Sequence, residues 1–152
     1  MLWRKINNKD NALTLGVKVK LNNITDAYKY ERVLPDSVDK VFSRLSHKLK
    51  DSGYVILSIV DIKETLKNSG LDPDFKPFYI LDVCKPKAAQ EMIGSNDEYG
   101  LLLPCRIMIT ERGDKALLGM LRVSEVASNY LKEDRGKALQ FEKELTAAMD
   151  SI

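Results

Sequence analysis

The chain has 152 residues, 44% hydrophobic and 30% charged, with a formal net charge of +2. That length fits one domain able to bury a core without disulfide or metal staples. Acidic and basic residues are interspersed, and a charge so near balance leaves no electrostatic footprint for nucleic acid. No apolar run approaches the ~18 residues needed to cross a bilayer. Met1 to Asn11 lacks the apolar stretch of a secretory signal. The expectation is a cytoplasmic protein with no membrane association, whose two cysteines are reduced thiols.

The first periodic signal comes early. Leu13, Leu15, Val17, Val19 and Leu21 alternate with Thr14, Gly16, Lys18 and Lys20, the pattern of a strand with one buried face. Asn22-Asn23 supplies turn chemistry, and Ala27 to Leu34 reads as a second strand with Tyr28, Tyr30 and Leu34 on one side. Together they predict an N-terminal β-hairpin. Pro35-Asp36-Ser37 stops that strand and opens a helix with Val38, Val41, Phe42, Leu45 and Leu49 on one stripe, ended by Ser52-Gly53. Tyr54 to Val60 is a nearly continuous apolar run and predicts a well-buried strand. Asp61 to Glu64 forms a capping box for a short helix ending at Ser69-Gly70.

After a loop with two prolines, Phe78 to Val83 returns as a strand. Pro86 suits the first turn of a helix carrying Ala88, Ala89, Met92 and Ile93, closed by Gly94. Leu101 to Thr110 and Ala116 to Val123 flank Arg112-Gly113-Asp114 and predict a second hairpin. Ala138, Phe141, Leu145, Ala148, Met149 and Ile152 mark a C-terminal amphipathic helix. Hairpins and isolated helices, without repeated strand–helix–strand units, argue a single α+β domain with a mostly antiparallel sheet and helices on one face. Residues 1–25 read as an N-terminal extension and residues 26–152 as the domain proper.

Both cysteines stand beside prolines, in Val83-Cys84-Lys85-Pro86-Lys87 and Gly100-Leu101-Leu102-Leu103-Pro104-Cys105. Cys84 falls between a strand end and a helix N-terminus, where amide donors and Lys85 and Lys87 favour a thiolate or a bound anion. The blander alternative, which weighs more, is a small apolar residue filling the strand–helix seam. Cys105 shares the side of Leu101, Leu103, Ile107 and Ile109, so alternation puts it on the apolar face. Pro104 cannot donate to a ladder and marks an edge or a bulge. Cys84, Lys85, Pro86, Pro104 and Cys105 are therefore the candidate ligand-contacting residues, with Cys84 the candidate thiol. No metal site is expected: the cysteine spacing matches no paired-ligand pattern, and His47, the one histidine, falls off the apolar stripe of its helix.

From Asp36 to Val123 and through the last helix, the chain resembles the domain-of-unknown-function 302 family. Val60-Asp61-Ile62-Lys63-Glu64-Thr65-Leu66 is similar to its "ID-x-K-x-x-L" stretch. Tyr79 to Pro86 is similar to "Y-x-I-x-x-x-C-N-P", and Gly100 to Cys105 to "G-x-x-L-P-C". The resemblance implies a small α+β sheet like that of the TATA-binding protein and a homodimeric partner; it supplies no reaction and no cofactor. Lys85 stands where the family's pattern has Asn, and an ammonium cannot accept the backbone hydrogen bond of a helix cap. Either Cys84 or water then serves that helix end, or Lys85 helps the corner bind an anion.

Three functions follow as expectations. The first is a non-enzymatic module holding a small-molecule ligand in a pocket bounded by both cysteine–proline corners, with no Ser/His/Asp constellation or phosphate-cradling glycine loop to argue for catalysis. The second is a thiol redox or sulfur-handling protein using Cys84 with Cys105. The third is an oligomerisation module in which the N-terminal extension docks on a partner.

Overall fold

A computed structural model describes residues 23–25, 28–133 and 135–152. The chain runs β1 (Asn23–Thr25), β2 (Lys29–Leu34), α1 (Val38–Asp51), β3 (Val55–Asp61), α2 (Ile62–Asn68), β4 (Phe78–Cys84) and α3 (Pro86–Ser95). A 3-10 turn (Asp97–Leu101), β5 (Cys105–Arg112), β6 (Lys115–Leu121), α4 (Val123–Val126), a π-turn (Ala127–Leu131) and α5 (Arg135–Asp150) follow. The sheet has five full strands, with three-residue β1 added at one edge, in the order β1-β2-β6-β5-β4-β3. Every neighbouring pair is antiparallel.

Because successive side chains alternate across a strand, register sorts the sheet into two faces. One row runs Ile59, Leu81, Ile107, Met120, Tyr30 across β3, β4, β5, β6 and β2. The four inner members of that row are buried and join one core with Val41, Leu45 and Leu49 of α1 and Phe141, Leu145 and Met149 of α5. The apolar stripes read for these two helices are therefore the stripes that pack. Ser37 caps α1 by accepting from the Lys40 amide at 3.4 Å. Gly53, just past the helix end, sits at φ +80, a conformation that side-chain-bearing residues avoid. Asp61 caps α2 by accepting from the Glu64 amide at 2.9 Å, while the Glu64 carboxylate points to Lys67 instead of back to the cap. Only half of the expected capping box forms.

Polar contacts tie α5 to its neighbours. Arg32 on β2 donates to the carbonyls of Met149 and Ile152 at 2.6 and 2.9 Å, filling acceptors that the helix end leaves free. Glu142, buried in the middle of α5, accepts from Arg122 Nε at 2.9 Å and from the Ser124 amide at 3.0 Å. This carboxylate thereby holds the start of α4, whose first residue, Val123, the periodicity assigns to the end of a strand.

The structure corrects several expectations. The run read as a well-buried strand is β3, at the sheet's edge, with Val55 45%, Leu57 57% and Ile59 50% exposed. A continuous apolar run looks the same in a central strand and in an edge strand whose side chains await cover. Gly94 does not close its helix, which continues to Ser95 and ends at Asn96. Leu101 to Pro104 is not strand: Leu101 ends the 3-10 turn and β5 starts at Cys105. Likewise β6 stops at Leu121, and Val123 opens α4. Asn23 is the first residue of β1 rather than part of a turn, and the expected hairpin arm from Leu13 to Leu21 lies outside the described residues.

The buried Glu142 pair and an exposed pair should differ sharply in value. Replacing Glu142 by Ala removes the acceptor of the buried Ser124 amide and one of the two carboxylates beside Arg122, and urea denaturation should show a loss of about 2 kcal/mol. Arg106→Ala, which removes a surface partner of Asp82, should cost under about 1 kcal/mol.

Candidate functional site

The face of the sheet opposite the helices carries the second set of rows. Glu31, Gly119, Met108, Ile80 and Val60 lie opposite one another across β2, β6, β5, β4 and β3. Beside them Lys29 lies opposite Leu121, Arg106 opposite Asp82, and Asp82 opposite Ser58. A groove of about 610 Å³ opens on this face, floored by Met108, Ile80, Phe78 and Gly119. Leu101 to Pro104 and Tyr28 wall the end from which β2 and β5 start.

Gly119 shapes the floor. A Cβ built on it would come 3.1 Å from Met108 Cε and 3.5 Å from Glu31 Cγ. Its missing side chain is the space those two neighbours lean into, the close approach that a glycine inside a strand signals. Around this apolar floor the polar groups are paired. Glu31, buried despite its charge, has Lys29 Nζ at 3.1 Å and Arg112 at 3.8 Å. Asp82 accepts from Ser58 Oγ at 2.7 Å and from Arg106 Nε at 3.0 Å, and these bonds, that from Ser58 first, hold its carboxyl below the usual range. The groove is thus an apolar bed with an ion pair at two of its margins, and Leu101, at 81% exposure, overhangs it unsatisfied.

The cysteine–proline corners do not enclose one pocket. Pro104 and Cys105 line the groove. Lys85 lines a separate, polar depression of about 280 Å³ between α3 and α5, and Cys84 and Pro86 line neither of these two. Cys105 lies opposite Val83, in a row of the core face. Cys105 is buried as alternation predicts, and burial, then neighbouring Cys84 and Glu142, pushes its thiol up to about 12. Both cysteines are free thiols, Cys84 half-buried at the last position of β4.

Pro86 takes the first turn of α3, as its fixed φ favours. Lys85 occupies the N-cap and makes no side-chain cap bond; its ammonium is instead paired with Glu144 on α5 and lies 5.4 Å from the Tyr54 ring centre. That pairing takes up the cation an anion-binding corner would need. His47 is exposed, with Nδ1 2.9 Å from the Ser43 carbonyl within its own helix. Among the described residues no cluster of three or more His, Cys, Asp or Glu is placed to hold a metal ion, and no helix is long and apolar enough to cross a membrane.

Phe78, Ile80, Met108 and Gly119 were not singled out from the sequence. The signal was nonetheless present: Ile107-Met108 and Leu117-Leu118 put apolar residues on both faces of adjacent strands, and Gly119 interrupts one of them.

The family model described as "Domain of unknown function DUF302" matches residues 30–152. The chain is also similar to a solved structure titled "Crystal structure of uncharacterized conserved protein DUF302 from Bacillus stearothermophilus". The two share 26% identity, with a TM-score of 0.73 over 80% of this chain and 95% of that one. No curated protein matches the chain.

The thiol assignments can be checked by alkylation. In the native protein at pH 8, Cys105 should stay unlabelled by iodoacetamide and react only on denaturation. A thiol raised in the fold stays protonated there while its unfolded counterpart ionises, so its contribution to stability is complete below pH ~9 and lost towards about 12. Cys105→Ala should flatten the alkaline fall in stability over that window, as read by urea midpoints from pH 8 to 11.

Proposed function

The chain belongs to the DUF302 family, and for this member we propose a non-enzymatic module that binds a small, mainly apolar molecule in the groove on the open sheet face. The observation that carries the reading is the groove itself: about 610 Å³ of mostly apolar space on the face opposite α1 and α5, where none of the described helices packs into the core. That volume falls in the range of small-molecule sites, roughly 300–1,000 Å³. The sequence-based candidates Pro104 and Cys105 remain on its wall, whereas Cys84, Lys85 and Pro86 drop out. Lys29–Glu31 and Arg106–Asp82 at the margins favour a ligand with a polar end, because a wholly apolar one would bury those pairs without replacing their water.

Thiol redox chemistry has less support. The pair would need an exposed, ionisable attacking thiol, while Cys105 is buried and its thiol raised to about 12.

The groove reading predicts saturable binding of 1-anilinonaphthalene-8-sulfonate, an aromatic anion of suitable size, with a one-to-one stoichiometry by fluorescence titration. Gly119→Leu, which fills the floor, should weaken that binding at least tenfold. Lys87→Ala in the other depression should leave it unchanged. Absent binding, or equal binding by the Gly119 variant with its fold intact by circular dichroism, would defeat the reading.

A further inference from the structure

We infer that the ligand of the groove is a medium-chain monocarboxylate, its carboxylate held by Arg106 and its chain lying along Met108 and Ile80 toward Phe78. The inference rests on the reading of the groove as a ligand site and names the chemistry of that ligand.

The groove has a basic end and an apolar end. Glu31 on β2 and Met108 on β5 both face Gly119 of β6, and each of these strands is antiparallel to β6, so β2 and β5 run in the same direction. Two residues before them, on the same faces of their strands, stand Lys29 and Arg106. Both basic residues that line the groove therefore belong to one end of it. Phe78 lies at the other end. It faces Thr110 on β5, whereas Arg106 faces Asp82 on β4. From Arg106 to the level of Phe78 is roughly 14 Å at about 3.4 Å per residue, the length of an extended chain of about ten carbons. Met108 and Ile80 face one another between these ends and floor the path.

Arg106 has donors left for the head of such a molecule. Its side chain is exposed, and its Nε donates to Asp82 Oδ1 at 3.0 Å. Among the described residues its terminal Nη groups have no hydrogen-bond partner. A guanidinium is a planar fork, and the edge formed by its two Nη groups matches both oxygens of a carboxylate. Asp82, itself held by Ser58 Oγ at 2.7 Å, thus orients the guanidinium from the Nε side and leaves that edge open.

Charge selects the sign of the head. Lys29, Arg106 and Arg112 stand against Glu31 and Asp82 around the groove, which leaves one positive charge for a ligand to match. The chain's own first 22 residues carry five basic side chains against one acidic, the wrong sign for an occupant of that end. An alkylammonium is repelled there, and an alcohol offers one oxygen where the fork matches two.

The test is isothermal titration calorimetry of the full chain with decanoate, decanol and decylammonium, each below the concentration at which it aggregates. Decanoate should bind about tenfold more tightly than decanol, and decylammonium should bind most weakly. Arg106→Gln should weaken decanoate about tenfold and decanol by less than about twofold, which removes the preference. Arg106→Lys, which keeps the charge and loses the fork, should fall between. Lys87→Ala removes one positive charge outside the groove and should leave the preference unchanged. Equal affinity for the three compounds overturns the inference, as does a decanoate preference that survives Arg106→Gln with circular dichroism unchanged. If 1-anilinonaphthalene-8-sulfonate still binds and Gly119→Leu still weakens it, the groove reading stands without the carboxylate. A protein that takes up neither that probe nor decanoate overturns both.

Discussion

The row Leu81, Ile107, Met120 and Tyr30, laid across four strands, packs against α1 and α5, and the rest of the molecule follows from that one-sided burial. Each fully buried aliphatic side chain contributes about 1.5–3 kcal/mol relative to exposure. Leu45, Leu49, Leu118 and Leu145 add to the same layer. A sheet saturated on one face by helices leaves its other face and its outer strands with nothing from its own helices to cover them. Those surfaces are where the groove lies and where, among the described residues, β3 has no partner on its outer side. Arg32 and Tyr30 fasten the arrangement by binding the last residues of α5, Tyr30 through Asp150, so β2 and the C-terminal helix are positioned together.

The open face shows how small details shape a groove. Gly119 makes a hollow because Met108 and Glu31 can lean over a residue without a side chain. Glu31 tolerates its burial because Lys29 and Arg112 flank it, and an unpaired carboxylate there would be costly. Asp82 is held ionised by Ser58 and Arg106. The margins of the groove thus carry ion pairs, and its interior offers shape and apolar contact. Under the proposed reading, such a surface would select ligands by size and by the placement of one polar end.

The cysteine–proline corners illustrate a limit of motif reading. Pro86 opens α3 as expected, but Cys84 is the last residue of β4 and Cys105 the first of β5, not a residue inside a strand from Leu101. The groove takes in Pro104 and Cys105, while Cys84 and Pro86 line neither depression. Register between strands twenty residues apart is not written in either segment. Lys85 is a second case. Its departure from the family's Asn suggested an anion site, but Glu144, nearly sixty residues on, takes its charge.

What the sequence alone determined is local and periodic. The stripe Val38, Val41, Leu45, Leu49 built α1, the spacing Ala138 to Met149 built α5, Asp61 and Ser37 capped their helices, and Gly113 at φ +64 turned β5 into β6. Each depends on neighbours within about one turn or one hairpin, so the pattern carries its own cause. Only the tertiary structure decided that the apolar run Val55–Asp61 lies at an edge, that Leu101 to Pro104 walls a groove, and that Gly119 sits beside Met108 and Glu31. Strand order and the choice of covered face depend on which surfaces a helix reaches after the chain has folded back on itself. No short stretch of residues contains that information.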